Sequence, residues 1–283
     1  MTESQKERIH CLYCNGADHL PWAAENGYSA VKCKNCGLIF VNPRPVLSLI
    51  SEAVQTGVHT DVDHGRTAIG KRSASKVNHY KRLISSVFDD IWENDKPINW
   101  IDVGAGYGEI IEAVTKLAPT GSQVVGLEPM RPKAQAARSR GLLINEWYLH
   151  DEKGKYDFLS LINVYSHIPD FRAFLKDVKN VLNLNGQVLI ETGNTADLKN
   201  RQEVPGELDL PDHLVFAGES HLTGYLTEAG FSIISIRKIR VDNLLRFTKN
   251  LVKKAMGRKE VSLRLPYRSP YRSLIIRAKL TKK

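Results

Sequence analysis

The sequence lacks several features that define whole classes of protein. No apolar run approaches the roughly eighteen residues of a transmembrane helix, so we expect a soluble protein. No signal-like apolar segment stands at the N-terminus, which predicts a reducing, cytoplasmic location. Repeats and low-complexity tracts are also absent. The 283 residues, of which 42% are hydrophobic, can bury one full α/β core and carry a small additional module.

No cysteine occurs after position 36, and the four that are present form two C-x2-C pairs. Cys11 pairs with Cys14 and Cys33 with Cys36, and eighteen residues separate the pairs. This spacing is typical of a structural zinc site, in which four thiolates complete a tetrahedral shell and leave no position for a catalytic water. Two disulfides or four unrelated thiols are the alternatives, and a reducing compartment disfavours the disulfides. The sequence therefore predicts a zinc ribbon with a core of its own.

Three alternate glycines, Gly104, Gly106 and Gly108, follow the apolar run 98–103 and precede the amphipathic run 109–117. The pattern predicts a strand, a glycine turn and a helix, so that backbone N–H groups at the helix N-terminus face a nucleotide-like ligand. A loop that needs glycine only for its backbone conformation is the alternative.

The spacing of these glycines also indicates which nucleotide is bound. The pattern is G-x-G-x-G, whereas dinucleotide binding favours G-x-G-x-x-G, so NAD is disfavoured. Glu128 stands 24 positions after Gly104, at the end of the apolar run 123–127. If that run is the second strand, the carboxylate can accept hydrogen bonds from two ribose hydroxyls. A solvated carboxylate at a strand end is the alternative.

With these motifs the chain resembles the class I S-adenosylmethionine-dependent methyltransferases. Residues 155–170 resemble the fourth strand and following loop of that superfamily, and residues 174–192 resemble its next helix, glycine turn and fifth strand. The resemblance covers residues 76–283 and implies an α/β fold with a Rossmann-like, seven-stranded sheet whose last strand is antiparallel. Many relatives carry Glu directly before the histidine of that loop, where this chain has Ser166.

The resemblance implies cofactor contacts at the carboxyl ends of the predicted strands, where ligands bind in open α/β sheets. These contacts are Asp102, Gly104, Ala105, Gly106, Glu128, Pro129, Glu146, Trp147, Asn163 and Val164. The glycine turn would contact the amino-acid portion of S-adenosylmethionine through its backbone, and Asp102 would fix the turn or a water near the ammonium. Glu128 would bind the ribose, residues 129, 146 and 147 the adenine, and residues 163 and 164 the methionyl group. Trp147 is equally consistent with a core position.

Methyl transfer is an in-line displacement at a sulfonium carbon, so the protein mainly aligns donor and acceptor and removes a proton from an oxygen or nitrogen nucleophile. No catalytic metal is required. His167, after the predicted fourth strand, and His213, in a polar loop after the fifth, are the candidate bases. A histidine that only pins its loop is the alternative for each, and Asp212 could orient His213. Tyr165 and Tyr225 are expected to be packing residues.

The N-terminal segment resembles the zinc ribbons that precede the methyltransferase domain in a group of bacterial enzymes, many of them associated with sugar or cell-surface glycan biosynthesis. The expected acceptor is therefore a small molecule, namely a sugar, a sugar nucleotide or a lipid-linked glycan. The alternative is an RNA methyltransferase that binds RNA through the ribbon and the basic C-terminal region. A binding module on a degenerate fold is a third possibility, against which the glycine turn and Glu128 argue.

Three parts are expected along the chain. They are a zinc ribbon at residues 1–45, a linker or cap at 46–75, and a methyltransferase domain at 76–283 with a basic insertion at 241–270. Residues 46–75 lack sustained periodicity and mix polar and charged side chains, so they are expected to form a linker or a mobile cap over the cofactor mouth.

Positive charge is concentrated near the C-terminus. Residues 237–283 hold 16 Lys or Arg and two acids, a balance of +14 in a chain whose total is +9, so the first 236 residues carry −5. An anionic acceptor or surface is therefore an expected partner. The β-branched runs 231–237 and 273–278 predict the last two strands, which the resemblance makes an antiparallel hairpin at the sheet edge.

Within the insertion, apolar and basic residues recur near helical spacing, which predicts a basic amphipathic helix. The apolar residues are Leu244, Leu245, Phe247, Leu251, Val252, Ala255 and Met256, and the basic ones are Arg246, Lys249, Lys253, Lys254 and Arg258. The apolar face could pack on the core, or contact a membrane surface or a lipid-linked substrate. Contact of the basic face with nucleic acid or another anion is the remaining alternative.

Overall fold

The structure is a computed structural model of the chain. It describes residues 5–59, 66–67, 70–93, 95–204, 206–240, 242, 244–257, 263, 265 and 268–282. The strands β1 to β15 are, in order, Lys6–Glu7, His19–Glu25, Tyr28–Cys33, Ile39–Val41, Arg44–Pro45, Val58–His59, Arg66–Thr67, Asn99–Val103, Gln123–Leu127, Ile144–Asn145, Tyr156–Ile162, Leu182–Gly193, Val215–Phe216, Phe231–Arg240 and Tyr271–Leu280. The helices α1 to α8 are Leu47–Thr56, Ala74–Val87, Asp89–Trp92, Glu109–Thr115, Arg131–Arg138, Phe171–Val181, Glu219–Glu228 and Leu244–Ala255.

Seven strands form the central sheet, in the order β10-β9-β8-β11-β12-β15-β14. The pairs from β10 to β12 are parallel, and β15 is antiparallel to both of its neighbours, β12 and β14. This arrangement confirms the predicted Rossmann-like sheet with an antiparallel last strand. The carboxyl ends of the parallel strands therefore meet at one edge, where a ligand is expected.

Both faces of the parallel strands are buried, because side chains alternate between the two faces along each strand. Ile101 of β8 and Leu161 of β11 belong to one hydrophobic cluster, which includes apolar residues of α6 and α7. Trp100 and Phe158 on the same strands belong to a second cluster, with residues of α2 and α4. Helices α6 and α7 thus cover one face of the central sheet and α2 and α4 cover the other. The carboxyl edge of this sheet carries the candidate site.

The N-terminal module does not have a core of its own, and that prediction is wrong. Strand β13, from the C-terminal half of the chain, pairs with β4 and completes a four-stranded sheet in the order β13-β4-β3-β2. Val31 and Phe40 of this sheet lie in the same hydrophobic cluster as Ile101 and Leu161 of the central sheet. The physical reason is that a ribbon of about forty residues has too little apolar surface to bury by itself.

The segment expected to be a linker contains helix α1, which the sequence pattern does not predict. Only Ile50 and Ala53 of its ten residues are buried, too few to give a clear helical period. The helix ends at Gly57, whose φ of 74° is left-handed and whose N–H donates to the carbonyl of Ala53. Strand β6 follows and carries His59 towards the candidate site.

Strand β14 ends at Arg240 and β15 begins at Tyr271, with helix α8 between them. This helix matches the predicted amphipathic segment, but none of its described side chains is buried, so packing of the whole apolar face on the core is excluded. The side chain of Arg246 lies outside the described part of the helix. Arg258, one of the predicted basic residues, lies outside the described residues. In the part of the chain that the structure describes, no helix is long and apolar enough to cross a membrane.

Candidate functional site

The glycine turn connects β8 to α4 at the carboxyl edge of the sheet. At Gly104 the backbone has a φ of 71°, and an added Cβ atom would lie 2.6 Å from Cγ2 of Val164, so only glycine fits. At Gly106 the φ is 54°, and an added Cβ would meet no atom within 4 Å. The turn therefore packs against Val164 on one side and borders open space at Gly106, where a ligand can approach the backbone.

Glu128 follows β9 directly and is only 6% exposed. Its Oε2 accepts a hydrogen bond of 2.7 Å from the N–H of Gly106, and its Oε1 accepts one of 2.9 Å from Met130. The carboxylate thus joins the end of the second parallel strand to the glycine turn. An ionised carboxylate offers about four acceptor positions, so two remain for ribose hydroxyls.

Two buried acids flank this turn on the α2 side of the sheet. Asp102 accepts a 2.5 Å hydrogen bond from the hydroxyl of Ser160, and burial raises its pKa to about 8. Glu191, near the end of β12, is also buried; burial raises its pKa, and its Oε2 has no hydrogen-bond partner among the described residues. Burial, then the charges of Glu191 and Asp102, raise the pKa of Tyr80 to about 12, which places all three groups within electrostatic reach.

The unpartnered buried oxygen of Glu191 fits a positively charged ligand, because a buried polar group without a partner is costly. The ammonium and sulfonium groups of S-adenosylmethionine have that charge. The residues at this edge therefore fit the implied cofactor. Glu191 was missed from the sequence because it stands in a β-rich run with no motif around it.

The remaining predicted cofactor contacts lie at the same edge. Asn163 has a φ of 58° and donates through its N–H to the carbonyl of Glu191, and Val164 packs on Gly104. Ala105 is buried, and Pro129 is half-buried beside Glu128. Their cofactor roles stay predictions.

Two further predicted adenine contacts follow β10, the neighbour of β9. The carboxylate of Glu146 forms ion pairs with Arg138 and, at 3.9 Å, with Arg131. Trp147 is 41% exposed and its indole N–H donates to Glu152 at 3.2 Å, which excludes a core position for this side chain. Contact of either residue with adenine stays a prediction.

A cavity of about 330 Å³ opens at the carboxyl ends of β11 and β12, beside Asn163. Most of its lining side chains are polar. They are Asn163, Ser166, Thr192, Thr195, Glu207, His213, Arg272 and Ser273. Because Asn163 and Val164 adjoin the glycine turn, the cavity lies beside the predicted methionyl position.

His213 lines this cavity, and its protonation state follows from its contacts. Its Nδ1 lies 2.9 Å from the carbonyl oxygen of Leu208, which can only accept, so Nδ1 carries the hydrogen and Nε2 is the basic nitrogen. Burial, and then the charge of His167, lower the pKa of His213. The imidazole is therefore neutral at pH 7 and able to take a proton.

His167 belongs to a network that the sequence predicts only in part. Its Nδ1 lies 2.8 Å from the carbonyl oxygen and 3.5 Å from Oδ1 of Asp212, and its ring centroid lies 4.8 Å from that of His213. Nε2 of His59 lies 3.1 Å from the same Oδ1. Burial would raise the pKa of Asp212, but hydrogen bonds from His167 and His59 hold it well below its usual range.

The structure thus brings both predicted bases together and adds His59, which stands 108 positions before His167 and 154 before His213. No sequence signal marks His59, because nothing in residues 46–75 resembles a motif. Its imidazole contacts the same carboxylate oxygen of Asp212 as His167 does.

The four cysteines form a second candidate site. The Sγ atoms of Cys11 and Cys36 are 3.5 Å apart, as are those of Cys14 and Cys33, and all four lie within 4.8 Å of one another. A tetrahedral zinc ion with Zn–S bonds of about 2.3 Å places thiolates about 3.8 Å apart, whereas a disulfide needs about 2.05 Å. The cluster therefore fits a structural zinc ion, and the disulfide alternative is excluded.

Side chains of the larger domain hold the cysteine loops. Arg172 donates to the carbonyl oxygens of Leu12, at 2.9 Å, and Tyr13, at 2.8 Å. Nε2 of His221 lies 2.9 Å from the carbonyl of Cys36. Tyr225 packs in the hydrophobic cluster and donates to Leu12, and Tyr165 is fully buried there, which confirms both tyrosines as packing residues.

The sheet order, the glycine turn and Glu128 define a class I S-adenosylmethionine-dependent methyltransferase. Residues 77–236, more than half of the chain, match the model of a family described as a methyltransferase domain. The chain belongs to this family of methyltransferases, and its zinc-ribbon segment precedes the matched region.

Solved structures share the fold. An S-adenosylmethionine-dependent methyltransferase from Archaeoglobus fulgidus is 13% identical, with 72% of this chain and 94% of that chain covered and a TM-score of 0.51. A protein from Galdieria sulphuraria, provisionally described as a sarcosine dimethylglycine methyltransferase, is 14% identical, with 72% and 86% covered and a TM-score of 0.54. No curated protein sequence is similar enough to count as a relative. At such identities the likeness shows the fold alone.

Proposed function

We propose that this methyltransferase methylates a hydroxyl group of a sugar-type acceptor, either free, nucleotide-linked or lipid-linked. The observation that carries the proposal is the cavity whose lining includes both Asn163 and His213. Val164, next to Asn163 in the chain, packs on Gly104 of the glycine turn. An acceptor in this cavity would lie between the methyl donor and a neutral imidazole.

When bound, S-adenosylmethionine supplies a methyl carbon on positively charged sulfur, which the acceptor oxygen attacks in line as the carbon–sulfur bond breaks. The glycine turn and Glu128 would hold the donor, and Asp102 and Glu191 would balance its charge. Nε2 of His213 takes the proton that the acceptor hydroxyl loses. The carbonyl of Leu208 keeps Nδ1 protonated throughout, so Nε2 stays the accepting atom.

His167 and Asp212 act next to this base. The two imidazole rings lie edge to face, so the orientation of His167, fixed by Asp212, limits the orientation of His213. A negative charge on Asp212 also stabilises the imidazolium that forms on proton transfer. His167 is thus better described as a positioning residue than as the base.

The lining of the cavity supports a hydroxyl-rich acceptor. Hydroxyl, amide and carboxylate side chains such as Thr192, Asn163 and Glu207 supply the donors and acceptors that sugar hydroxyls require. Arg272 at the same cavity offers a bidentate contact for a phosphate of a nucleotide-linked or lipid-linked acceptor. The zinc-ribbon resemblance points to the same acceptor class by analogy.

The cysteine cluster is proposed to hold one zinc ion with a structural role. Four cysteines leave no open coordination position, so the metal would take no part in methyl transfer. Its function would be to hold the loops around Cys11 and Cys36 against α6 and α7.

The test is methyl incorporation from labelled S-adenosylmethionine into a panel of nucleoside diphosphate sugars, polyprenyl-phosphate glycans and bulk RNA. We expect a product 14 mass units heavier with a sugar acceptor. His213→Gln should lower kcat by roughly 10²- to 10⁴-fold and leave cofactor affinity unchanged, since the imidazole acts only on the proton. His79→Gln, an exposed histidine on α2, is the matched control.

Methylation of RNA alone, with a steep dependence on salt, would favour the RNA alternative over the sugar proposal. Full activity of the His213→Gln variant on a sugar would show that no base is needed at this position.

A further inference from the structure

Helix α8 exposes an apolar face that nothing in the described chain covers. The exposed fractions of its large apolar residues are 70% for Leu244, 65% for Leu245, 49% for Leu251, 58% for Val252 and 76% for Met256. A single exposed leucine needs no explanation, but a contiguous apolar patch on a soluble domain marks an interaction site.

These residues lie on one side of the helix. With 100° between successive residues, they and Ala255 fall in an arc of about 140°, which also contains Thr248. Lys249 borders one edge of this arc, and Lys253 and Lys254 border it more distantly, about 60° beyond either edge. Of the helix residues whose side chains are described, Phe247 and Asn250 are half-buried, whereas the residues of the apolar arc are exposed.

The base of the insertion is well anchored, which fixes where the helix is presented. The guanidinium of Arg240 donates to the carbonyl of Ser269 and lies 4.3 Å from the ring centroid of Tyr271. The buried hydroxyl of Ser269 donates to the carboxylate of Asp242 at 3.0 Å. One of the two acids in the basic C-terminal region is thereby hydrogen-bonded at the base of the insertion.

The charge of the helix is entirely positive. Residues 244–257 contain no acid, and Lys249, Lys253 and Lys254 have no ion pair among the described residues. The surface thus combines an exposed apolar arc with unpaired cations.

We propose that helix α8 docks in the interface of an anionic phospholipid bilayer, with its apolar arc among the acyl chains and its lysines at the headgroups. An amphipathic helix with leucines on one face and lysines on the other is the structure that binds in this way. Twelve residues rise about 18 Å, well short of the roughly 30 Å of a bilayer core, so the helix would lie on the membrane rather than cross it.

Two other occupants fit the surface less well. A second copy of the chain would bring the lysines that border the arc next to the same lysines of its partner, with no acid on either helix to neutralise them. Nucleic acid would use the lysines but would leave the exposed leucines in water.

The test is sedimentation of the full chain with vesicles. We expect the protein to pellet with vesicles of phosphatidylglycerol and phosphatidylcholine, to pellet weakly with phosphatidylcholine alone, and to be released as salt rises. Leu251→Gln combined with Val252→Gln should lower the partition coefficient roughly tenfold or more, because both side chains are exposed and would be buried only in the bilayer. Lys253→Glu combined with Lys254→Glu should lower it by a similar factor.

Lys153→Glu combined with Lys176→Glu, two exposed lysines elsewhere, is the charge-matched control and should bind like the wild type. An unchanged midpoint of thermal unfolding in the leucine variant, Leu251→Gln with Val252→Gln, would show that the helix does not stabilise the core. Three results would overturn the proposal: no vesicle binding at low salt, a dimer in solution that the leucine variant abolishes, or binding that depends on the lysines but not on the leucines. The vesicle assay needs no methyl acceptor, so it tests the membrane proposal independently of the proposed sugar methylation.

Discussion

The hydroxyl of Tyr225 on α7 donates a hydrogen bond of 2.8 Å to the backbone carbonyl of Leu12, which lies between Cys11 and Cys14. The ring of Tyr13 packs edge to face on the same tyrosine, with 4.9 Å between the ring centroids. The cysteine-bearing loop that is proposed to bind zinc is therefore part of the same packed unit as the methyltransferase core. Loss of the metal should consequently affect more than the ribbon.

Substitution of Cys33, a proposed zinc ligand, is predicted to destabilise the whole chain. Elemental analysis should find one zinc per chain, and Cys33→Ser should lower the midpoint of a single cooperative unfolding transition, because Val31, Phe40 and the central sheet share one core. Thermal unfolding with and without a chelator measures this effect. Two separate transitions, with the cofactor-binding one unchanged, would mean that the ribbon folds independently.

Loss of the Glu128 carboxylate is predicted to weaken cofactor binding. Glu128→Ala should reduce the affinity for S-adenosylmethionine by about 1–3 kcal/mol, since hydrogen bonds to a charged group are lost both to the ribose and to the N–H of Gly106. Titration calorimetry measures the affinity, with Glu93→Ala as a control on an exposed acid outside the turn. Equal affinities in wild type and variant would show that Glu128 only caps the turn.

The ion pair between Asp90 and Arg277 is predicted to stabilise the sheet. The guanidinium of Arg277 is buried and binds Asp90 through two hydrogen bonds of 2.6 and 2.9 Å, so Asp90→Ala leaves a buried cation with fewer partners. The free energy of unfolding should fall by about 1.5–3 kcal/mol. Urea unfolding measures it, and Asp89→Ala, next in sequence and exposed, should cost clearly less. Because Arg277 is used here, it is not available to bind an anionic partner.

The contribution of Asp212 to stability is predicted to depend on pH. Its folded-state pKa lies below the ordinary value of about 4, so the stabilisation is present above that value and is lost as the pH falls through the folded-state pKa. Asp212→Asn should be less stable than the wild type at pH 7, and the difference should shrink in acid. Urea unfolding at several pH values tests this, with Asp151→Asn as an exposed control. A difference that stays constant down to the lowest pH would contradict the assignment.

The sequence by itself determined the features that depend on a few consecutive residues. The glycine turn at Gly104, the strand that ends at Glu128 and the paired cysteines were all predictable, because backbone geometry fixes what such spacings can form. Apolar runs at 98–103 and 123–127 and β-branched runs at 231–237 and 273–278 likewise predicted strands of the central sheet, and apolar residues near helical spacing predicted the amphipathic character of α8.

Tertiary structure alone decided how distant segments meet. His59 reaches Asp212 from 153 positions away, and β13 pairs with β4 across most of the chain, because the order of strands in the sheets brings these segments together. The periodicity of the sequence predicted that α8 has an apolar face, but only the structure showed that this face is exposed to solvent. The same pattern is typical of a helix that packs on a core and of one that binds a membrane surface. The physical reason is that short-range spacing is set by covalent geometry, whereas burial and long-range contacts depend on which surfaces the folded chain leaves available.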